Sequence, residues 1–257
     1  MTTLFSGEQL SLELSDGCAR LVFANPAAFN ALTVTMANEC RQATEVLLAR
    51  DDVRILVLQG SGKAFMAGGD LRAMQEQPVQ VATAIIEAMH RCIADWQRAP
   101  WLVLACVQGA VAGAGLSLVA AADLVLAADD VRFVYAYSDI ATTCDLGLSW
   151  HLPRRIGSRR VLEMALLGRN LDAVSAIEWG LVNQVAPRAG LEDALQVWLE
   201  RLNRYPAGLL PRLKALLRDS PVQSLEQQLD SEREAFIACA AEPDFCEAIS
   251  AFFARRA

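Results

Sequence analysis

Two segments of the chain share one design, and that design narrows the possible folds more than any other feature. In each, a run of buried-type residues ends in small residues that open a helix. The first is Leu56-Val-Leu-Gln-Gly-Ser-Gly-Lys-Ala-Phe-Met-Ala-Gly-Gly-Asp-Leu. The second is Leu104-Ala-Cys-Val-Gln-Gly-Ala-Val-Ala-Gly-Ala-Gly-Leu-Ser-Leu. A short, continuous apolar run bounded by glycines predicts a strand covered on both faces, as in a parallel sheet. The backbone N–H groups at a helix start lack internal acceptors and sit at the positive end of the helix dipole, so they can hold an anion or a developing oxyanion. Two such donors converging on one point make an oxyanion hole. Either loop alone is accounted for by turn glycines and close packing. The pair points to function.

The rest of the chain fits an α/β core. Leu10-Ser-Leu-Glu-Leu alternates, Asp16-Gly17 turns, and Ala19 to Ala24 returns, which predicts a hairpin. Helices are expected over Thr35–Ala49 and Val81–Gln97, with strands at Val53–Leu58, Leu102–Val107 and Asp123–Ala127 and a short apolar helix before the last. From Gly147 onward the pattern is mainly helical, over Leu162–Leu167, Ala173–Trp179 and Leu191–Leu202, with a strand at Leu181–Val185. A composition shift near Arg204 divides a core, 1–204, from a helical tail, 205–257. The tail reads as helices Leu209–Arg218, Ser224–Ala240 and Asp244–Arg255, with Ser224 and Gln227 spaced as a capping box.

Composition excludes several classes. There are 30 Asp and Glu against 23 Lys and Arg, a net charge of −7, so the chain lacks the basic surface that nucleic acid requires. Hydrophobic residues make 54% of the chain, so the membrane has to be considered. Only Trp101 to Ala122 is long and uncharged enough to span, and Gly109 and Gly113 have the spacing of packed membrane helices. Pro100, Gln108 and three glycines break that run, and acidic rather than basic residues follow it. It reads instead as strand, loop and buried helix. The seven cysteines are odd in number and form no Cys-x-x-Cys, and His90 and His151 are the only histidines, so neither a disulfide scaffold nor a zinc site is expected. Met1-Thr-Thr-Leu-Phe-Ser-Gly-Glu does not resemble a signal peptide, and a reducing cytoplasm fits best.

Four motifs stand in order: Asn25-Pro-Ala-Ala-Phe-Asn-Ala-Leu, Gly62-Lys-Ala-Phe-Met-Ala-Gly-Gly-Asp-Leu, Gly109-Ala-Val-Ala-Gly-Ala-Gly and Leu152-Pro-Arg-Arg-Ile-Gly. Together with Ala176-Ile-Glu-Trp-Gly-Leu-Val-Asn and Glu247-Ala-Ile-Ser-Ala-Phe, they resemble the enoyl-CoA hydratase/isomerase (crotonase) superfamily over nearly the whole chain. The resemblance implies an α/β fold, a spiral of ββα units with a helical C-terminal region that assembles trimers or dimers of trimers. It implies an acyl-CoA thioester as ligand, with coenzyme A part of the substrate and no permanently bound cofactor. By position, the N–H groups of Gly69 and Ala114 would form the oxyanion hole, Ala114 standing where Gly is more usual. Ala64, Met66, Ala67, Gly68, Asp70 and Leu71 lie on the loop that receives CoA and substrate, although Met66 with Phe65 also reads as packing. The basic residue often found before the Asn-Ala-Leu motif is absent, and Arg255-Arg256 replaces a C-terminal Lys-Arg.

Hydratases of this superfamily use two glutamates, and the matching positions here are Ser117 and Tyr137. Their hydroxyls are poor bases near neutral pH. The carboxylate left in the neighbourhood is Asp145, which aligns with the acid/base aspartate of isomerase members and the nucleophilic aspartate of dehalogenase members. It also stands where it can cap a helix starting near Gly147, whose dipole would keep it ionised. Tyr137 is expected to line the acyl pocket. His90 reads as a core or groove histidine, and the resemblance places it near the substrate as well. One carboxylate beside an oxyanion hole suffices to move a C=C bond, because no bound water is needed. Hydration, aryl displacement, thioester hydrolysis and an inactive CoA-binding homologue stand as alternatives.

Overall fold

The computed structural model describes residues 1–255. In chain order the elements are β1 Thr2–Ser6, β2 Leu10–Ser15, β3 Cys18–Phe23, α1 Val34–Leu48, β4 Ile55–Gly60, β5 Met66–Ala67, α2 Leu71–Glu76 and α3 Pro78–Arg98. Next come β6 Leu102–Val107, β7 Ala110–Ala112, α4 Ala114–Ala121, β8 Leu124–Ala128, β9 Arg132–Val134, α5 Leu148–Ile156 and α6 Ser158–Leu167. The chain continues through β10 Leu171–Asp172, α7 Ala173–Trp179, β11 Gln184–Ala186, α8 Leu191–Asn203, α9 Leu209–Asp219, α10 Leu225–Ala240 and α11 Pro243–Ala254.

Each turn of the chain gives one strand to each of two sheets. The larger sheet runs β1-β2-β3-β4-β6-β8-β11, antiparallel at first and parallel from β3 onward. The smaller runs β10-β9-β7-β5. The pairs β4/β5, β6/β7 and β8/β9 with the helices that follow them are the ββα units of a spiral, as expected. The hairpin turn sits at Asp16 (φ 51°) and Gly17 (φ 73°), the left-handed pair that a two-residue β-turn requires.

The apolar strands are apolar because both faces are covered. β4 and β6 have side chains buried in each of the two core clusters on either side of the large sheet. This explains the uncharged run from Trp101 to Ala122, which folds into β6, β7 and the wholly buried α4. Among the described residues no helix is long and apolar enough to cross a membrane.

Two expectations need correction. The strand foreseen at Leu181–Val185 begins only at Gln184, because Gly180 (φ 82°) closes α7 and the N–H groups of Leu181 and Val182 both turn back to Ala176 O. The irregular glycine loops contain β5 and β7, two and three residues long, which are too short for an alternating pattern to show in sequence.

The tail is attached through α9. Lys214 is buried, and its Nζ donates to Trp96 O (2.7 Å) and Trp101 O (2.8 Å) and pairs with Asp123 Oδ2 at 3.0 Å. Neither α10 nor α11 buries a residue. Arg255 is the last described residue, and Arg256 lies outside the described residues.

Candidate active site

The two glycine-rich loops lie side by side. β5 pairs with β7 in parallel, Met66 opposite Val111 and Ala67 opposite Ala112. Just past the paired residues, Gly68 and Gly113 lie side by side. Gly113 has φ 50° and ψ −114°, a conformation only glycine adopts readily, and a Cβ added there would stand 3.4 Å from Gly68 Cα. At Gly109 (φ 56°) an added Cβ would stand 2.0 Å from Lys63 O, so the second loop rests directly on the backbone of the first.

The N–H of Gly69 and that of Ala114 are both left over. Leu32 bridges Gly69 by donating to Gly68 O and accepting from Asp70 N, which leaves the N–H between them without a backbone acceptor. Ala114 is the first residue of α4, where an N–H has no intrahelical partner. Two unspent donors on adjoining loops, one of them at a helix N-terminus, are the elements of an oxyanion site.

Asn30 holds the first loop in shape. It is fully buried at φ 56°, a left-handed conformation that Asn tolerates better than most residues. Its Nδ2 donates to Ser61 O (2.9 Å), Ala64 O (2.9 Å) and Phe65 O (3.2 Å), and its Oδ1 accepts from Asn25 N (2.9 Å). The sequence contained Asn25 and Asn30 in a motif without revealing this clamp. Their signal is an asparagine five residues from another at a turn.

The loop residues expected to meet substrate divide by exposure. Met66 and Ala64 are sealed in the core and offer no side-chain surface. Ala67 and Leu71 are exposed, and Gly68 is buried. Asp70 caps α2, its carboxylate accepting from Ala73 N at 3.1 Å.

Across from the loops stands a group of three side chains. Tyr137 Oη donates to Asp145 Oδ1 at 2.5 Å. Ser117 Oγ lies 2.9 Å from Tyr137 Oη and 3.2 Å from Asp145 O. Ser117 comes from α4, the helix that Ala114 opens, so the candidate anion site and the carboxylate are referenced to one rigid element. Tyr137 is buried rather than presenting its hydroxyl to a pocket, and burial beside Asp145 pushes that hydroxyl far above the usual phenol range. Among the described residues no other side chain donates to the Asp145 carboxylate.

Asp145 does not cap α5. The cap is Gly147, and Asp145 contributes only its carbonyl, which accepts from Leu148 N at 3.0 Å. Burial raises the Asp145 pKa from the ordinary carboxylate value, against the opposing effect of the Tyr137 hydrogen bond.

His90 extends from α3, and its Nε2 accepts from Leu146 N at 3.2 Å. Its proton is therefore placed on Nδ1. Leu146, buried at φ 52°, is part of the site and gave no signal in the sequence. Cys144 is half-buried beside Tyr135, whose pKa burial and the thiol push up to about 12. His151 packs behind Gly147, and burial together with Arg155 and Arg154 lowers its pKa to about 4. Among the described residues no cluster of His, Cys, Asp and Glu is arranged to hold a metal ion.

The chain resembles known proteins along nearly its whole length. A family model described as enoyl-CoA hydratase/isomerase matches residues 13–257. The 1,2-epoxyphenylacetyl-CoA isomerase of Escherichia coli K12 is 31% identical over 93% of each chain. The 4-chlorobenzoyl coenzyme A dehalogenase-2 of an Arthrobacter species is also 31% identical, over 96% of this chain and 91% of its own. The crystal structure of an enoyl-CoA hydratase from Polaromonas sp. JS666 superposes with a TM-score of 0.87 at 30% identity, covering 96% of this chain and 97% of that one.

Proposed function

The chain belongs to the enoyl-CoA hydratase/isomerase family, and on that premise we propose that it isomerises an enoyl-CoA, with Asp145 as the single acid/base. The observation that carries the reading is a lone carboxyl with a raised pKa, held through one oxygen by Tyr137 and bonded at its own carbonyl by Ser117 of α4, the helix whose first N–H is one of the two unspent donors. Relatives of nearly equal identity include an isomerase and a dehalogenase, so the choice rests on the side chains.

The reaction follows from the parts. The thioester carbonyl of a 3-enoyl-CoA accepts from the N–H groups of Gly69 and Ala114. That polarisation lowers the cost of removing a proton from C2. Asp145 takes this proton, and the electron pair moves into a dienolate whose negative oxygen rests on the two N–H groups. Asp145 then returns the proton to C4, which moves the double bond from C3–C4 to C2–C3, into conjugation. No water enters and no metal is required. Coenzyme A arrives and leaves with the substrate.

Two of the alternatives draw less support from the side chains. Hydration by two carboxylates would need acids where Ser117 and Tyr137 stand. Aryl displacement through an ester of Asp145 would need a base to activate water, and the Nε2 of His90 already accepts from Leu146 N. The proposal includes assembly as a homotrimer or dimer of trimers, supported by the apolar residues Leu229, Phe236, Ile237 and Phe253 that α10 and α11 leave exposed.

A substrate panel tests the reading. A 3-enoyl-CoA should gain the ultraviolet absorbance of a conjugated thioester. A 2-enoyl-CoA should not lose it by hydration, and a 4-halobenzoyl-CoA should release no halide. Hydration or halide release with no isomerisation would contradict the proposal, as would no turnover of any acyl-CoA.

A further inference from the structure

One contact at the site plays no part in the proton transfer above. Leu146 N donates to His90 Nε2 at 3.2 Å, across 56 residues of sequence. Leu146 has φ 52°, in the left-handed region that a non-glycine residue rarely adopts. It is followed by Gly147 at φ 75°. These two residues turn the backbone from Asp145 into α5, so their conformation sets where the Asp145 carboxylate begins. A non-glycine left-handed residue persists only where its surroundings fix it.

The surroundings are identifiable. The Leu146 side chain is fully buried. Asp145 O is gripped from α4 by Ser117 Oγ (3.2 Å) and from α5 by Leu148 N (3.0 Å). The Leu146 amide is gripped from α3 by His90 alone among the described residues. An imidazole nitrogen has one lone pair. While Nε2 accepts from Leu146 it cannot also take a proton from substrate or water. We propose that His90 is a positioning residue, whose neutral imidazole latches the Leu146 amide, holds the left-handed turn and thereby places the Asp145 carboxylate. The proposal rests on the reading of Asp145 as the acid/base. It assigns the histidine to the backbone rather than to the reaction.

The test uses the full chain with His90→Gln, which keeps an acceptor near the reach of Nε2, and His90→Phe, which keeps a ring and removes the acceptor. Without substrate, hydrogen exchange of the Leu146 amide should be slow in wild type and His90→Gln, and faster by about tenfold or more in His90→Phe. With a 3-enoyl-CoA, His90→Phe should lose about tenfold or more in kcat with KM within about threefold, since misplacement of a reacting group acts on the chemical step. His90→Gln should restore at least about a third of the wild-type kcat, because it restores the acceptor. Equal loss in both variants with the Leu146 amide still protected would overturn the proposal and give the imidazole a chemical role. Unchanged exchange and kcat in His90→Phe would overturn it as well. If His90→Phe does not fold, the wild-type imidazole ¹⁵N shifts decide. A proton on Nδ1 with Nε2 bare supports the latch, and a proton on Nε2 contradicts it. Turnover that survives in Asp145→Asn would sink the acid/base reading and, with it, the link from latch to kcat. The exchange rates would still show whether the latch exists.

Discussion

The hydroxyl of Tyr137 donates to Asp145 Oδ1 at 2.5 Å, which holds one carboxylate oxygen and leaves Oδ2 to exchange a proton. A donor to the ionised form stabilises that form, so this bond opposes the rise that burial imposes on the Asp145 pKa. Tyr137→Phe removes the donor and should raise that pKa further. The acid limb of kcat/KM, where Asp145 must lose its proton to act as base, should then move to higher pH. The check is a pH profile of both enzymes with one substrate. A limb that does not move would separate Tyr137 from the titration of Asp145.

Gly113 supports the candidate oxyanion site through its backbone. At φ 50° and ψ −114° it holds a conformation that strains any side-chain-bearing residue whatever room a Cβ finds. Gly113→Ala should destabilise the fold by about 1–3 kcal/mol. It should also tilt the Ala114 N–H and lower kcat by about 10²-fold, the scale of losing one oxyanion donor. Urea denaturation and turnover measure the two effects. Full activity in the variant would remove Ala114 from the site.

Lys214 fastens α9 to the core by donating to Trp96 O and Trp101 O and pairing with Asp123 Oδ2. Burial lowers its pKa, while Asp123 opposes that effect. Lys214→Met strands two carbonyls and leaves Asp123 with only the Val103 N–H, at 2.8 Å. Breaking a buried pair from one side costs about 3–5 kcal/mol. A urea midpoint shift worth less than about 1 kcal/mol would show that α9 is held by other contacts.

His151 makes stability depend on pH. Its folded pKa is lowered to about 4 from an ordinary 6.5, chiefly by burial. Above 6.5 both folded and unfolded chains hold it neutral. As pH falls below 6.5 the unfolded state takes a proton that the folded state refuses until about 4, so stability is lost across that window. By pH 4.5 the loss is about 2–3 kcal/mol. His151→Gln should reduce the difference in unfolding free energy between pH 7.5 and 4.5 by about that amount. Equal differences in both proteins would place the acid sensitivity elsewhere.

The parts of the fold that were legible in the sequence are those with enough residues to show a period. The hairpin announced itself through alternation and Asp16-Gly17, and β6 through six apolar residues without a break. The four-stranded sheet did not, because β5, β7, β9 and β10 are two or three residues each and take their conformation from neighbours distant in sequence. Within the site, Asp145 and the two glycine loops were visible as residue types in a pattern. Leu146 was not, because nothing about a leucine signals a left-handed backbone held from a helix 56 residues away. Asp145 shows the same limit differently. The sequence placed it at a helix start and suggested an ionised cap, but only the fold shows its side chain turned to Tyr137 and half-buried.

The central claim is that one carboxyl moves the proton. The most direct measurement is kcat for a 3-enoyl-CoA, followed by the absorbance of the conjugated product, in wild type and Asp145→Asn of equal oligomeric state and thermal stability. The account predicts isomerisation by the wild type and a loss of about 10²–10⁴-fold in the variant, the range that general acid–base catalysis contributes. Undiminished isomerisation by Asp145→Asn would contradict it.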